Sequence, residues 1–436
     1  MKQENVSRRT FIKSSAGAAA ATMIAPTIIP KKVFGANDVI RVAILGMHGR
    51  GKNHLEGFER LANVQVVTLC DPDLKVLEDC QKRFGKGDKS YKLEQDLRKV
   101  YDDKDIDAVS IATCNHWHAL ATIWACQAGK DVYVEKPGSH NIWEGRKMVE
   151  AADKYDRIVQ HGVQLRSSSA IREVVQAMRD GIIGRVYMSR GLVFRWRGDI
   201  GKKGLATPPD HLDYDLWLGP AQYRPYSEDW VHYNWHWQWD FGNGDVGNQG
   251  IHETDLCMWG LDVGLPTQIT SLGGKFLWDD AKEVPEVLTS IYHYPEEKKM
   301  IQFEVRHWAT NGEDGIKVGN IFYGDKGYVT VDGYDTYEVW QLTGNGKYDK
   351  VKEGKKGGDH YANFIDAVRA HDKTMLNAPV ETAHLSSALA HLGNISYRLG
   401  RQLIFDPDSE TFPGDAEAND MLTRDYREPY VVPAKV

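Results

Sequence analysis

Three short stretches of the chain carry residue types that could do chemistry together. Gly46-Met47-His48-Gly49-Arg50-Gly51 follows an apolar strand, Val39 to Leu45, and leads into a helical stretch from Lys52 to Leu61. In that setting glycines let the chain turn tightly, and the helix N-terminus offers free N–H groups to a pyrophosphate. One position departs from the G-x-G-x-x-G pattern. His48 stands where the second glycine belongs, a side chain there obstructs close backbone approach, and Gly49 can compensate. A second strand, Val64 to Cys70, ends at Asp71, 20 residues after Gly51. A carboxylate there accepts hydrogen bonds from a ribose 2′-hydroxyl and repels a 2′-phosphate, which favours NAD over NADP. Asp71-Pro72-Asp73 is also a possible helix start, with Asp71 merely its cap. The third stretch is Glu135-Lys136-Pro137. Lys136 closes a strand, at the end where open α/β sheets bind ligands. A lysine desolvated beside a nicotinamide can orient a hydroxyl or shuttle its proton. Pro137 fixes its loop and suits a cis bond. The plain alternative is a solvated surface lysine.

The elements that must position these residues alternate. Ile106 to Thr113 reads as a strand, Cys114 to His118 as a turn, His118 to Ala128 as a helix stopped by Gly129, and Asp131 to Val134 as the next strand. Alternating strands and helices predict a parallel, doubly wound sheet. Past about residue 160 the pattern changes. Val186 to Phe194, Thr267 to Gly273, Leu288 to Tyr294, Met300 to His307, Tyr328 to Val331 and Tyr337 to Leu342 read as strands largely without helices between them, so antiparallel or mixed pairing follows. Tyr361 to Ala370 and Ala383 to Leu403 read as helices, and Lys352 to Gly358 as an exposed polar loop.

Thr113 and His118 form a Thr-x-x-x-x-His turn ahead of Glu135-Lys136-Pro137. With these motifs the chain resembles the glucose–fructose oxidoreductase / inositol dehydrogenase (Gfo/Idh/MocA) family over essentially all of residues 38–430. The resemblance implies an α/β protein: an N-terminal Rossmann domain with a doubly wound parallel sheet, then an α+β domain with a large open mixed sheet. The active site would lie between them. The expected divisions are a signal peptide at 1–36, a Rossmann NAD(P)-binding domain at 37–160, and a substrate and oligomerisation domain with terminal helices at 161–436. The second family motif is Gly247-Asn248-Gln249-Gly250-Ile251-His252-Glu253-Thr254-Asp255. Here the family usually shows Asp-x-x-x-His, a spacing that puts both side chains on one helical face. His252 matches the family's catalytic histidine, a natural acid/base near neutral pH. Asn248 replaces the usual Asp, which removes a negative charge: an amide can bind a hydroxyl but cannot take a proton. Asp255 could orient the imidazole or satisfy a loop backbone.

By the same resemblance, Lys136 and His252 are the expected catalytic pair. Gly46, His48, Gly49, Arg50, Gly51, Asp71, Thr113, Asn115, His118, Glu135, Lys136 and Gln164 are expected to hold the cofactor. Arg166, Trp235, Asn248 and Asp255 are expected near the substrate, although Arg166 could only pair with a carboxylate. Seven of the 13 Trp fall between Arg195 and Gly260. Flat indoles suit sugar C–H faces, and they suit ordinary core packing as well.

Composition narrows the classes further. The 436 residues carry a net charge of -7, with 42% hydrophobic and 26% charged residues. This excludes disorder and collagen, and the lack of a basic surplus argues against nucleic acid. Five scattered Cys with no C-x-x-C pair suggest neither disulfides nor zinc, so no metal is expected. Ser7-Arg8-Arg9-Thr10-Phe11-Ile12-Lys13 is a twin-arginine export motif, followed by an Ala-rich run too weakly apolar to span a membrane, with cleavage near Gly35-Ala36. That route exports folded, cofactor-loaded proteins, so a periplasmic enzyme would carry its nicotinamide with it. The reading is an exported NAD-dependent oxidoreductase acting on a secondary hydroxyl or ketone of a sugar or glycoside, working as a homo-oligomer. Two alternatives stay open: an NAD-dependent glycosidase working by transient oxidation and elimination, and a non-catalytic sugar- or cofactor-binding protein.

Overall fold

A computed structural model describes Gly35 and residues 38–87, 89–308 and 311–436. The twin-arginine segment and the cleavage site near Gly35-Ala36 lie outside the described residues, Gly35 itself apart.

The first sheet contains β1 (Ile40–Leu45), β2 (Val64–Cys70), β3 (Lys92–Glu94), β4 (Ala108–Ile111), β5 (Asp131–Val134) and β6 (Val159–His161), in the order β3-β2-β1-β4-β5-β6. Every pairing is parallel. Such a sheet is covered on both faces, which is why β1, β4 and β5 are near-continuous apolar runs rather than alternating ones. The strand order reverses between β1 and β4, and ligands bind at that switch point.

The second sheet has nine strands: β7 (Val186–Phe194), β8 (Gln268–Gly274), β9 (Val287–Tyr294), β10 (Lys299–Arg306), β11 (Val318–Gly324), β12 (Gly327–Asp332), β13 (Thr336–Leu342), β14 (Tyr348–Lys355) and β15 (Leu403–Ile404). Their order is β14-β13-β12-β11-β7-β10-β9-β8-β15, and β7 pairs parallel with β10 in an otherwise antiparallel sheet. Burial alternates residue by residue along β9, the signature of one covered and one open face. The helices Gly250–Leu261 and Val380–Leu399 supply the cover, through a core of Ile251, Met258, Phe303, Tyr292, Leu389 and Leu392. Gly250 lets its helix come this close, because a methyl group there would sit 2.3 Å from the Phe303 ring.

In this sheet three strands escape the sequence reading, β11, β14 and β15; the helix expected to run to Leu403 ends at Leu399, and Leu403 belongs to β15. The exposed loop expected from Lys352 to Gly358 is corrected: Lys352 to Lys355 belongs to β14, the outer strand. Its side chains are nearly all exposed, so no alternation marks it, and its lysines blunt an edge that could otherwise recruit another strand. The chain also returns to the first domain. Phe364, Ile365 and Val368 of the helix His360–Ala370 join the core beside β1, and Tyr430, Val432 and Val436 join the core on the other face of that sheet. Among the described residues no helix is long and apolar enough to cross a membrane.

Candidate active site

β1 delivers the glycine turn. Gly46 adopts φ +89, and a methyl group there would lie 2.5 Å from the Ala112 carbonyl, so only glycine fits. The helix Gly51–Glu59 that follows has no side-chain cap and no acidic residue in its first turn, which leaves its N-terminus for an anion. His48, at the second glycine's place, lines the cleft beside the turn. Its ring stacks on His232, with centroids 4.5 Å apart. A methyl group at Gly49 would meet nothing within 4 Å, so room stays open beside the turn.

Asp71, at the end of β2, braces this turn. Its Oδ2 accepts from the Met47 N–H at 2.6 Å and its Oδ1 from the Asp73 N–H at 3.0 Å. Burial pushes the carboxyl up, and these two N–H donors oppose the shift. The expectation that Asp71 could cap the next helix is corrected. Asp73 caps Leu74–Phe84, accepting from the N–H groups of Lys75 and Val76, and its two oxygens also meet His211 and His232 at 2.8 Å.

Glu135, one residue past β5, is an anion at the centre of three donors. Its Oε1 accepts from Arg50 Nε at 2.8 Å, His54 Nε2 at 3.0 Å and Gln164 Nε2 at 3.1 Å. Burial opposes the charge, but Arg50 and His54 outweigh it and hold the carboxyl well below the usual range. Gln164 also donates to Tyr133 Oη, so it serves this network. His118 ties the Thr113 turn to the lysine loop, with Nδ1 at 2.6 Å from the Pro137 carbonyl and Nε2 at 3.0 Å from that of Thr113. The Lys136–Pro137 peptide is cis.

Lys136 Nζ donates to the main-chain oxygen of Asn248 at 2.7 Å and to its Oδ1 at 3.2 Å. Burial pushes this ammonium down, with Glu135 pulling the other way. The Asn248 amide is aimed by its other end, since Nδ2 donates to Asp245 Oδ1 at 3.2 Å. Arg197 clamps Asp245 with two bonds of 2.9 and 2.8 Å. The negative charge missing at position 248 therefore stands one helical turn earlier, already paired.

His252 is buried at 4% exposure, and its Nδ1 has no partner among the described residues. Its ring packs against Tyr334 at 4.9 Å. Burial, and then the Lys136 ammonium, push its pKa down to about 3. Asp255 neither orients that imidazole nor caps a loop. It takes a two-pronged ion pair from Arg166, at 2.7 and 2.8 Å, and a bond from Ser386 Oγ. Arg166 thus meets the carboxylate-pairing alternative.

One cleft gathers most of the sequence candidates. Gly46, His48, Gly49, Arg50, Asp71, Thr113, Asn115, His118, Glu135, Lys136, Trp235 and Asn248 line it. Asn115 spends its amide on Asn243 Oδ1 at 3.2 Å. Gly51, Gln164, Arg166, His252 and Asp255 lie off the wall. The open space at Gly49, the uncapped helix and the braced Asp71 fit a dinucleotide running from the glycine turn to Lys136. Sequence reasoning missed Asp245, Arg197, Tyr334 and His236. Of these, His236 lines the cleft from the aromatic 3-10 turn Asn234–Trp237. Its only sequence signal was the run of aromatics around it. Among the described residues no group of three or more His, Cys, Asp or Glu could hold a metal ion.

Comparison with known proteins gives the family and the fold. Residues 40–163 match the Gfo/Idh/MocA profile described as "Oxidoreductase family, NAD-binding Rossmann fold", and residues 167–432 match "Oxidoreductase family, C-terminal alpha/beta domain". Residues 5–25 match the twin-arginine translocation signal, which indicates export by that route. A "Glycosyl hydrolase family 109 protein" of Shewanella baltica is 27% identical over 205 residues, 42% of this chain and 44% of that protein. The chain thus matches less than half the length of that relative. Aldose-aldose oxidoreductase from Caulobacter crescentus, solved with glycerol, superposes at a TM-score of 0.64 with 16% identity, over 84% of this chain and 100% of that one. The WlbA dehydrogenase of Bordetella pertussis, solved with NADH and UDP-GlcNAcA, superposes at 0.64 with 21% identity, over 84% and 99%. Both likenesses are of fold.

Proposed function

Because the chain belongs to the Gfo/Idh/MocA oxidoreductase family, we propose that it interconverts a secondary hydroxyl and a ketone on a sugar or glycoside, using a tightly held NAD. A bound nicotinamide supplies the acceptor or donor of the hydride. The single observation that carries the reading is the placement of Lys136. Its Nζ stands past the end of β5, in the cleft that begins at the glycine turn, and is oriented by both oxygens of Asn248. A desolvated amine so held can take the proton of a substrate hydroxyl or return it. His252, buried against the Tyr334 ring, is the second proton carrier.

Asp71 supports NAD over NADP, since a 2′-phosphate beside this carboxyl would meet like charge in a buried setting. Export under the twin-arginine signal supports a cofactor carried with the folded chain. The region after residue 160 is assigned to substrate binding and oligomerisation. On the open face of its sheet, Arg190, Glu304, Arg306 and Glu313 form an ion-pair network that suits a polar interface with a second copy.

The test is reduction of bound nicotinamide, read by its absorbance, on adding a panel of sugars and glycosides. Wild type is expected to respond to some of them. Lys136→Ala and His252→Ala are each expected to slow the response by about 100-fold or more. Unchanged rates in both variants would overturn the proton-carrying roles of Lys136 and His252.

A second reading has its own support. Asn248 lacks the charge of the usual Asp, and partial relatives carry glycosyl hydrolase names. In that reading transient oxidation acidifies a neighbouring C–H, and an aglycone leaves by elimination. Release of aglycone from an aryl glycoside in heavy water, with deuterium in the sugar, would establish it.

A further inference from the structure

We propose that His236 is a dedicated carbon-acid base: its Nε2 removes a proton from the sugar carbon next to the carbonyl. This rests on the reading that the cleft takes a sugar ketone.

One hydrogen bond fixes the tautomer. His236 Nδ1 lies 2.6 Å from the Tyr233 main-chain oxygen. A carbonyl only accepts, so Nδ1 carries the proton, and in the neutral ring Nε2 is left with a lone pair. Burial, opposed by that same bond, pushes the pKa down to about 3, so the ring is neutral at working pH. The ring is also held in place. Trp235 stacks on it with centroids 3.6 Å apart and planes at 18°, and Tyr233 packs beside it at 4.7 Å. Neither His252 nor His118 combines these features. His252 has an unpartnered Nδ1, and His118 has both nitrogens on carbonyls.

The ring is also well placed. His236 lines the same cleft as Lys136 and Asn248. His252 lies off that wall. Moving a hydroxyl proton needs one proton acceptor. A second, with its tautomer locked, suits a second proton on the neighbouring carbon.

The chemistry balances without a redox step once the ketone is present. The C–H bond breaks and its proton goes to Nε2. The electron pair becomes the C=C bond of an enolate, and the negative charge settles on the former carbonyl oxygen, where the Lys136 ammonium can stabilise it. If the next carbon bears an aglycone, collapse of the enolate expels it through C–O cleavage.

The test supplies a keto-glycoside directly to the NAD-loaded enzyme in heavy water and follows loss of the α-proton by NMR. His236→Asn keeps a donor for the Tyr233 carbonyl but has no basic nitrogen, and His236→Gln is the second variant should the first misfold. The expected result is that exchange, relative to nicotinamide reduction by the parent sugar, falls by 100-fold or more in the His236 variants. In His252→Asn the ratio is expected to rise. Nitrogen-15 spectra of histidine-labelled protein should show one Nδ1–H tautomer that vanishes in His236→Asn. An unchanged ratio, absence of exchange in wild type, or an Nε2–H tautomer at His236 would each overturn the proposal. The oxidoreductase reading stands or falls separately, on nicotinamide reduction by the parent sugar in wild type.

Discussion

Asn248 presents both of its oxygens to Lys136 Nζ while its Nδ2 donates to Asp245. The amide bridges an ammonium and a carboxylate that Arg197 already neutralises. An aspartate at this position would face Asp245 across the same gap as a like charge. The amide therefore lets the site keep a buried carboxylate under the lysine without raising the amine as strongly as direct contact would.

Asn248→Asp tests that arrangement. Burial holds the Lys136 amine below its ordinary range. A carboxylate in contact favours the ammonium and moves its pKa up, by roughly 1–3 units for an adjacent opposite charge. The neutral amine, the form that accepts a proton, then appears only at higher pH. The expected outcome is an alkaline shift of about one unit or more in the rising limb of the pH profile for nicotinamide reduction. An unmoved limb would show that Lys136 is not the titrating base.

Tyr334 makes a separate prediction. It reaches from the β12–β13 turn to lie against His252, and its Oη accepts from Gln249 Nε2 at 2.9 Å. Desolvation is the main reason His252 is held down at about 3. Tyr334→Ala removes that cover, so the imidazole should titrate at least one unit higher, towards 6.5. Nitrogen-15 or proton NMR titration of the histidines reads this directly. Tyr334→Phe keeps the cover and should leave the titration near its wild-type position.

Much of the first domain was legible because its sequence signals are local. The run before Gly46 and the strand before Glu135 are buried on both faces, so they read as apolar blocks with a turn attached. Lys136 and Asn248 stood out through their neighbours in sequence. The hidden parts depend on distant pairing. Arg197 and Asp245 are 48 residues apart, and nothing local marks either as part of a site. His236 lies in a 3-10 turn among indoles, where neither helical nor strand periodicity exists to single it out. β11 contains Gly319 and Asn320, poor strand formers, and is held by long pairings with β7 and β12.

Asp71→Asn should weaken the cofactor end without touching the chemistry. Both carboxylate oxygens accept from main-chain N–H groups, those of Met47 and Asp73. An amide must turn its NH2 towards one of them and lose that bond, at a cost of about 1–3 kcal/mol for a buried group. The variant should melt at lower temperature, bind NAD less tightly, and discriminate less against NADP. Calorimetric titration with both dinucleotides measures the last effect, and an unchanged preference would remove Asp71 from cofactor selection.

His161 supplies a prediction about stability rather than activity. Its ring is fully buried, and neither nitrogen has a partner among the described residues. Burial pushes its pKa down to about 3, whereas in the unfolded chain it titrates near 6.5. Between these values the unfolded state binds a proton that the folded state cannot. The neutral ring's contribution is therefore fully present above pH 6.5 and is lost as pH falls towards 3, at up to about 1.4 kcal/mol per pH unit. His161→Leu removes this titration and fills a similar volume. Measured by urea unfolding, the variant should lose about 2 kcal/mol less than wild type between pH 7 and pH 5. The other buried histidines titrate in both proteins and cancel in the difference. Parallel losses in the two proteins would mean that His161 keeps its proton in the folded state, held by a partner that the unbonded ring does not reveal.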